Sequence, residues 1–240
     1  MKADDRLITA LDFPTADEAK AVVEELGDAV SFYKVGMELF YSAGPEMVTY
    51  LKEHGKKVFL DLKLQDIPNT VAHSLAVLTK LGADIMNVHA VGGPKMMAEG
   101  VKAVRETAEK LGRPAPKLIA VTILTSMDEA QWKPLHYANT IGEEVLDLAA
   151  LAKESGLDGV VASPREAEGI RKRCGKDFLI VTPGVRPAWA AANDQSRIAT
   201  PAMALKNGAT HLVIGRPITK AADKQEAVRK ILEEMEGVQA

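Results

Sequence analysis

Lys57-Val58-Phe59-Leu60-Asp61-Leu62-Lys63-Leu64-Gln65-Asp66 is the stretch that decides the fold. Side chains alternate across a strand, so Val58, Leu60 and Leu62 share one face while Phe59, Asp61 and Lys63 share the other. The wholly apolar face packs against helices, which turns Asp61 and Lys63 toward the opposite side. In residues 32–36 the same parity sets Phe32, Lys34 and Gly36 against Tyr33 and Val35. In residues 7–11 the face of Ile8 and Ala10 leads to Asp12. Charged side chains that point into a sheet-lined interior are expensive unless paired, and Lys34, Asp61 and Lys63 offer pairing.

Strand-length apolar runs recur along the chain at 7–11, 32–36, 57–63, 85–90, 117–124, 157–163, 178–182 and 211–215. Several are apolar on both faces, as strands covered on both sides must be. Helical spacing fills the intervals: 17–26, 45–54, 69–81, 94–111, 142–155, 164–174, 201–207 and 220–235. In the first of these, Ala19, Val22, Val23 and Leu26 fall at i, i+3, i+4 and i+7. Glycines such as Gly27 and Gly208 mark the helix ends. Eight strands alternating with eight helices in 240 residues predict a single-domain (β/α)8 TIM barrel over 1–240. An open doubly wound sheet is the alternative, but no Gly-x-Gly-x-x-Gly follows the first strand and no break in composition marks a second domain. In a barrel, Asp12, Lys34, Asp61 and Lys63 converge on the C-terminal ends of the strands, where barrel enzymes keep their chemistry.

Composition narrows the function classes. Thirty Lys and Arg against 33 Asp and Glu give a net charge of −3, so no basic field attracts nucleic acid or membrane. Cys174 is the single cysteine, which excludes an internal disulfide and disfavours a cysteine-based zinc site. The N-terminal MKADDRLITALDF is acidic where a signal peptide is basic, and no apolar run reaches membrane-spanning length; the chain reads as cytoplasmic.

An isolated Asp-x-Lys also fits a salt-bridge network that merely closes the barrel top. Asp66, three residues beyond Lys63, adds a third carboxylate from which such a network gains little. The run Asp61-Leu62-Lys63-Leu64-Gln65-Asp66-Ile67-Pro68-Asn69-Thr70 resembles the signature of the orotidine 5′-monophosphate decarboxylases. So do Ala10-Leu11-Asp12, Lys34-Val35-Gly36-Met37-Glu38-Leu39-Phe40, Asn87-Val88-His89-Ala90, Leu124-Thr125-Ser126, Thr182-Pro183-Gly184-Val185-Arg186 and Ile214-Gly215-Arg216-Pro217. Gln65 departs from the pattern, since many members carry histidine there.

The last two strand-to-helix junctions fit an anion independently of any family. Pro183-Gly184-Val185-Arg186 and Gly215-Arg216-Pro217 stand at loops where barrels often hold phosphate on backbone N–H groups, and arginine adds a fork of donors. The alternative, that these glycines only turn the chain, weakens when two such junctions fall at the expected places. Residues 187–198 form an unusually long connection, which reads as a lid.

The resemblance implies conversion of orotidine 5′-monophosphate to UMP without metal or organic cofactor. By the same resemblance, Lys63, Asp61, Lys34 and Asp66 are catalytic. Asp12, Lys34, Thr70, Thr125, Arg186, Gln195, Gly215 and Arg216 would bind substrate. It further implies a homodimer in which Asp66 and Thr70 serve the partner's site. A magnesium-dependent decarboxylase or aldolase of sugar phosphates and a non-enzymatic nucleotide-binding barrel are the rivals. Trp189 reads as a lid cap or as an exposed loop residue, His89 as a neighbour of the site or a core histidine, and Glu233-Glu234 as a solvated helix face.

Overall fold

Each of the eight apolar runs contributes a strand to the computed structural model, which describes residues 2–190, 199–236 and 238. The strands are β1 (Leu7–Leu11), β2 (Phe32–Gly36), β3 (Lys57–Leu64), β4 (Ile85–His89), β5 (Lys117–Val121), β6 (Gly159–Val161), β7 (Leu179–Thr182) and β8 (His211–Ile214). All pair in parallel in chain order, and β8 returns to β1 to close the barrel.

Strand parity divides the core into two hydrophobic bodies. Inside the barrel, Ile8, Phe32, Phe59, Ile85, Ile119 and Val213 pack on one another with neighbouring inward residues. Outside it, Tyr33, Val35, Val58, Leu60, Leu62 and Val88 pack beneath the helices, against residues such as Val23, Leu26, Leu51 and Leu75. Asp61 and Lys63 therefore extend the inner face of β3 beyond Phe59, as its alternation requires.

Local signals set the helices. Thr15 caps Ala16–Leu26 by accepting the Glu18 N–H, and the helix buries Ala19, Val22, Val23 and Leu26 before stopping at Gly27, whose φ is 50°. Thr140 and Glu143 form a reciprocal capping box on Ile141–Glu154. Three short helices escape the periodic pattern: Met37–Ala43, Glu129–Trp132 and Arg216–Thr219. None is long enough to lay down a recurrent apolar stripe; Met37–Ala43 buries only Leu39.

Two strands end at least two residues before their apolar runs do. Beyond Val121, the Thr122 hydroxyl and N–H both donate to the Val161 carbonyl, at 2.9 and 3.2 Å, and the chain leaves the sheet. Ile123, Leu124 and Thr125 then stand over the barrel mouth as loop. The run at 157–163 shortens to Gly159–Val161, and Gly159 lies so near Leu179 that an added Cβ would collide with its carbonyl.

At the opposite end of the barrel, His211 opens β8 with its ring edge-on to Phe32, centroids 6.0 Å apart. Burial pulls its imidazole pKa down to about 4, with Asp5 opposing that shift and Lys57 adding to it. The unfolded chain then takes up this proton before the folded one does. Stability accordingly falls as pH drops from about 6.5 toward about 4, by up to ~3 kcal/mol. Urea titrations across that range should show this acid slope, and His211→Gln should flatten it; an unchanged slope would contradict the assignment. Among the described residues, no helix is long and apolar enough to cross a membrane.

Candidate active site

At the C-terminal mouth, four side chains from the first three strands and their exits form an alternating charge line. Asp12 Oδ1 lies 2.9 Å from Lys34 Nζ, Lys34 Nζ lies 3.5 Å from Asp61 Oδ2, and Lys63 Nζ lies 2.8 Å from Asp61 Oδ1. Lys34 and Asp61 are each 8% exposed, so the pairing happens largely out of water. Burial alone would push the Lys34 ammonium's pKa down, but the Asp61 and Asp12 carboxylates outweigh it and raise the value. Burial likewise opposes the Asp61 carboxylate, yet Lys34 and Lys63 hold its pKa below the ordinary range. Lys34 and Asp61 therefore stay charged at neutral pH.

The strand holding Asp61 and Lys63 is irregular where they occur. β3 follows β4 in register at Phe59↔Ile85 and Leu60↔Met86, but resumes at Leu64↔Val88, so two extra residues bulge from the ladder. Within that bulge Lys63 has φ of 52°, in the left-handed region, which for a non-glycine residue costs about 1–3 kcal/mol. Asn87, 1% exposed on β4, spans the gap: its Oδ1 accepts the Lys63 N–H at 2.8 Å and its Nδ2 donates to Asp61 Oδ1 at 2.7 Å. The motif Asn87-Val88-His89-Ala90 gave Asn87 no role of its own, although Ile85, Asn87 and His89 share the inward parity that pointed out Asp61. Gly36 is a second missed contributor, because a Cβ there would stand 2.8 Å from Lys34 Nζ and 3.2 Å from Asp12 Oδ1. Half-buried His89 sits at the rim, its pKa lowered by burial and then by Lys63.

A cavity of about 210 Å³ opens beside the charge line. Lys34, Asp61 and Lys63 form one wall, Phe59, Val121, Val161 and Val213 give an apolar floor, and Leu124, Thr125 and Ser126 hang over it. Such a space suits a flat ring laid on hydrocarbon with polar groups at its edge. Pro183 also lines it, which connects the cavity to the exit of β7.

Beyond Pro183, the Val185↔Ala199 bridge and the Arg186 N–H to Ala199 carbonyl bond of 3.0 Å clamp the two ends of the long connection together. Arg186 is 6% exposed, and its Nη1 donates to the Val185 carbonyl at 3.0 Å. Gly215 and half-buried Arg216 leave β8, and a Cβ on Gly215 would stand 3.9 Å from Asp12 Oδ2. The two arginine junctions and the charge line thus rim one mouth. Gln195 lies outside the described residues, as do the other residues of 191–198. Trp189 is 46% exposed with Lys230 Nζ 5.9 Å from its ring centre. Glu234 corrects the view of a merely solvated helix face: its Oε1 accepts the Ala188 N–H at 3.1 Å, tying the start of the long connection to helix Lys224–Met235.

Asp66 and Thr70 do not join the charge line of their own chain. Both are exposed, and Asp66 Oδ1 accepts the Ile67 N–H at 2.6 Å. On the segments following β2, β3 and β4, large apolar side chains are exposed: Met37, Tyr41 (73% exposed), Ile67 (66%), Val77 and Val91.

A closed eight-stranded barrel with paired buried charges and a small cavity at the C-terminal mouth defines the class, a (β/α)8-barrel enzyme. Residues 5–231 match the model of the orotidine 5′-phosphate decarboxylase / HUMPS family, and the chain belongs to that family. It is 51% identical over 239 residues to the orotidine 5′-phosphate decarboxylase of Moorella thermoacetica, covering 99% of this chain and 95% of that protein. It is also 51% identical over 234 residues to the orotidine 5′-phosphate decarboxylase of Trichlorobacter lovleyi, covering 98% and 96%. Among solved structures, orotidine 5′-phosphate decarboxylase from Lactobacillus acidophilus superposes with a TM-score of 0.86 at 40% identity, covering 98% of this chain and all of that one.

Proposed function

We propose that the protein decarboxylates orotidine 5′-monophosphate to UMP in pyrimidine biosynthesis. The observation that carries this reading is the Asp12–Lys34–Asp61–Lys63 line walling the cavity, in a chain 51% identical to a decarboxylase of that name. The pyrimidine lies on the apolar floor with Thr125 at its edge. Asp12 and Lys34 hold the ribose, and Arg186, Gln195, Gly215 and Arg216 hold the phosphate.

The bond from C6 to the carboxylate carbon breaks, CO2 leaves, and the electron pair stays on C6. The ring delocalises that pair poorly, so a fixed ammonium beside C6 is what the transition state needs. Lys63 supplies it, then gives C6 a proton and is itself reprotonated from solvent. Asp61 keeps Lys63 aimed and stands near the departing carboxylate. Two like charges about 4 Å apart repel by roughly 4 kcal/mol at an effective dielectric near 20, an upper bound on any ground-state push. Because only interactions that strengthen toward the transition state raise the rate, stabilisation by Lys63 is the dominant effect. No resident metal takes part. Chelator-treated protein should convert orotidine 5′-monophosphate to UMP and CO2 one for one; substrate left intact, or turnover that requires added magnesium, would refute the reading.

The working form is a homodimer in which Asp66 and Thr70 reach the neighbouring subunit's site. The exposed rim around Ile67 and Tyr41 supports this, because apolar groups of that size concentrate at interfaces. Mixing Lys63→Ala and Asp66→Asn proteins should then restore roughly a quarter of wild-type activity, since random pairing makes half the dimers hybrid and each hybrid holds one intact site. No recovery after verified subunit exchange would exclude shared sites. The dimer acts in the cytoplasm on a soluble nucleotide, without nucleic-acid or membrane partners.

A further inference from the structure

We propose that Asn87 is a positioning residue for the decarboxylation: its carboxamide holds the Lys63 backbone and the Asp61 carboxylate in one rigid ring, fixing where the Lys63 ammonium stands. This rests on the functional reading above and deepens it. In a regular ladder the backbone of β4 would satisfy β3 at this level. Here two extra residues interrupt the pairing between Leu60 and Leu64, and a side chain takes over. Asn87 Oδ1 accepts the Lys63 N–H at 2.8 Å, while its Nδ2 donates at 2.7 Å to Asp61 Oδ1, the same oxygen that pairs with Lys63 Nζ at 2.8 Å. Lys63 is thus gripped at both ends, directly at its N–H and through Asp61 at its ammonium.

The chemistry of the group explains why an amide serves. It must accept on one atom and donate on the other, without bringing charge. Leucine matches the volume but leaves a backbone N–H and a carboxylate lone pair without their partner. Aspartate keeps the shape and the acceptor but sets a second carboxylate against Asp61. Lys63 has φ of 52°, a conformation that persists only where surrounding contacts over-determine it. Once the N–H bond is lost, the backbone can relax toward the extended region and carry Nζ away from Asp61.

Asn87 is 1% exposed and is absent from the cavity lining, so a ligand seated in the cavity does not meet it. Its loss should therefore fall on kcat and spare KM. Asn87→Leu should lower kcat about 100-fold, the scale of a misplacement near 1 Å, with KM within about threefold of wild type. Asn87→Asp should do more: Asp61 and the new carboxylate would share charge at hydrogen-bond distance, and the acid limb of the kcat profile should move up by about one pH unit or more. The charged and titratable groups facing Asp61 in that profile are Lys34 from β2, Lys63 from β3, His89 from β4 and Asp12 beyond β1 through Lys34.

The experiment measures kcat, KM and the pH profile of wild type, Asn87→Leu and Asn87→Asp side by side, with thermal melts to verify folding. A kcat loss with KM retained and a displaced acid limb in Asn87→Asp supports the role. Folded variants with kcat within threefold of wild type and an unmoved profile overturn it while leaving the decarboxylase reading intact. A wild type that does not consume orotidine 5′-monophosphate overturns both. If Asn87→Leu does not fold, the isosteric Asn87→Asp decides alone, by the same profile.

Discussion

Lys63→Ala should lower kcat for orotidine 5′-monophosphate by about 10⁵-fold while the protein remains folded. Removing one preorganised donor from a developing anion costs about 10²–10³ in rate, and removing a positioned general acid about 10²–10⁴. Lys63 is assigned both tasks at the same carbon, so the losses compound. The loss corresponds to about 7 kcal/mol of transition-state stabilisation. Folding should suffer far less, because the Lys63 side chain is 23% exposed and Asp61 retains Lys34 and the Asn87 amide after its removal. Steady-state assays at high enzyme concentration, paired with thermal melts, separate the two. Residual activity within about 100-fold of wild type would show that another group protonates C6.

Asp61→Asn should damage both stability and rate. It leaves the Lys34 and Lys63 ammoniums facing a neutral amide, and among the described residues Asp12 alone remains to pair Lys34. Taking one partner from a buried ion pair destabilises by about 3–5 kcal/mol. The dependence on pH gives the sign. Asp61 has a depressed pKa when folded, so its contribution is present above the ordinary carboxylate range and fades as pH falls through the folded value. Lys34 has a raised pKa when folded, so its contribution is complete below the ordinary lysine value and fades as pH rises through the folded one. The stability gap between wild type and Asp61→Asn should thus be widest near neutrality and narrow at both extremes. The rate should drop about 10³-fold, because Lys63 loses the group that aims it. Denaturant titrations at acid, neutral and alkaline pH test the first statement. A gap independent of pH would mean that the loss is one of packing, not of charge.

Much of this was legible because strand alternation is a strict geometric code. Phe59, Asp61 and Lys63 had to share a face, and the apolar face of Val58, Leu60 and Leu62 had to meet the helices, as the two separate hydrophobic bodies show. The bulge in β3 was not legible for the same reason: two extra residues preserve a period of two, so the alternation runs on undisturbed. The left-handed Lys63 and the bridging Asn87 follow from that bulge and were hidden with it. Asn87 had the right parity, but a buried amide satisfied within a core looks the same in sequence. Met37–Ala43 failed to register because its single buried residue, Leu39, makes no stripe. Glu234 looked solvated because its partner is the Ala188 backbone, 46 positions away, which no side-chain pattern encodes. Asp66 belongs to the charged motif by sequence, yet the fold leaves it exposed beside Ile67, outside the line of its own chain.

The position of the Lys63 ammonium relative to the reacting carbon is the point on which the mechanism stands, and a crystal structure with UMP bound measures it. C6 should lie within about 3–3.5 Å of Lys63 Nζ, the ring on Phe59 and its valine neighbours, and the phosphate between Arg186 and Arg216. UMP seated with C6 facing away from Lys63, or Lys63 Nζ turned out to solvent and parted from Asp61, would contradict it.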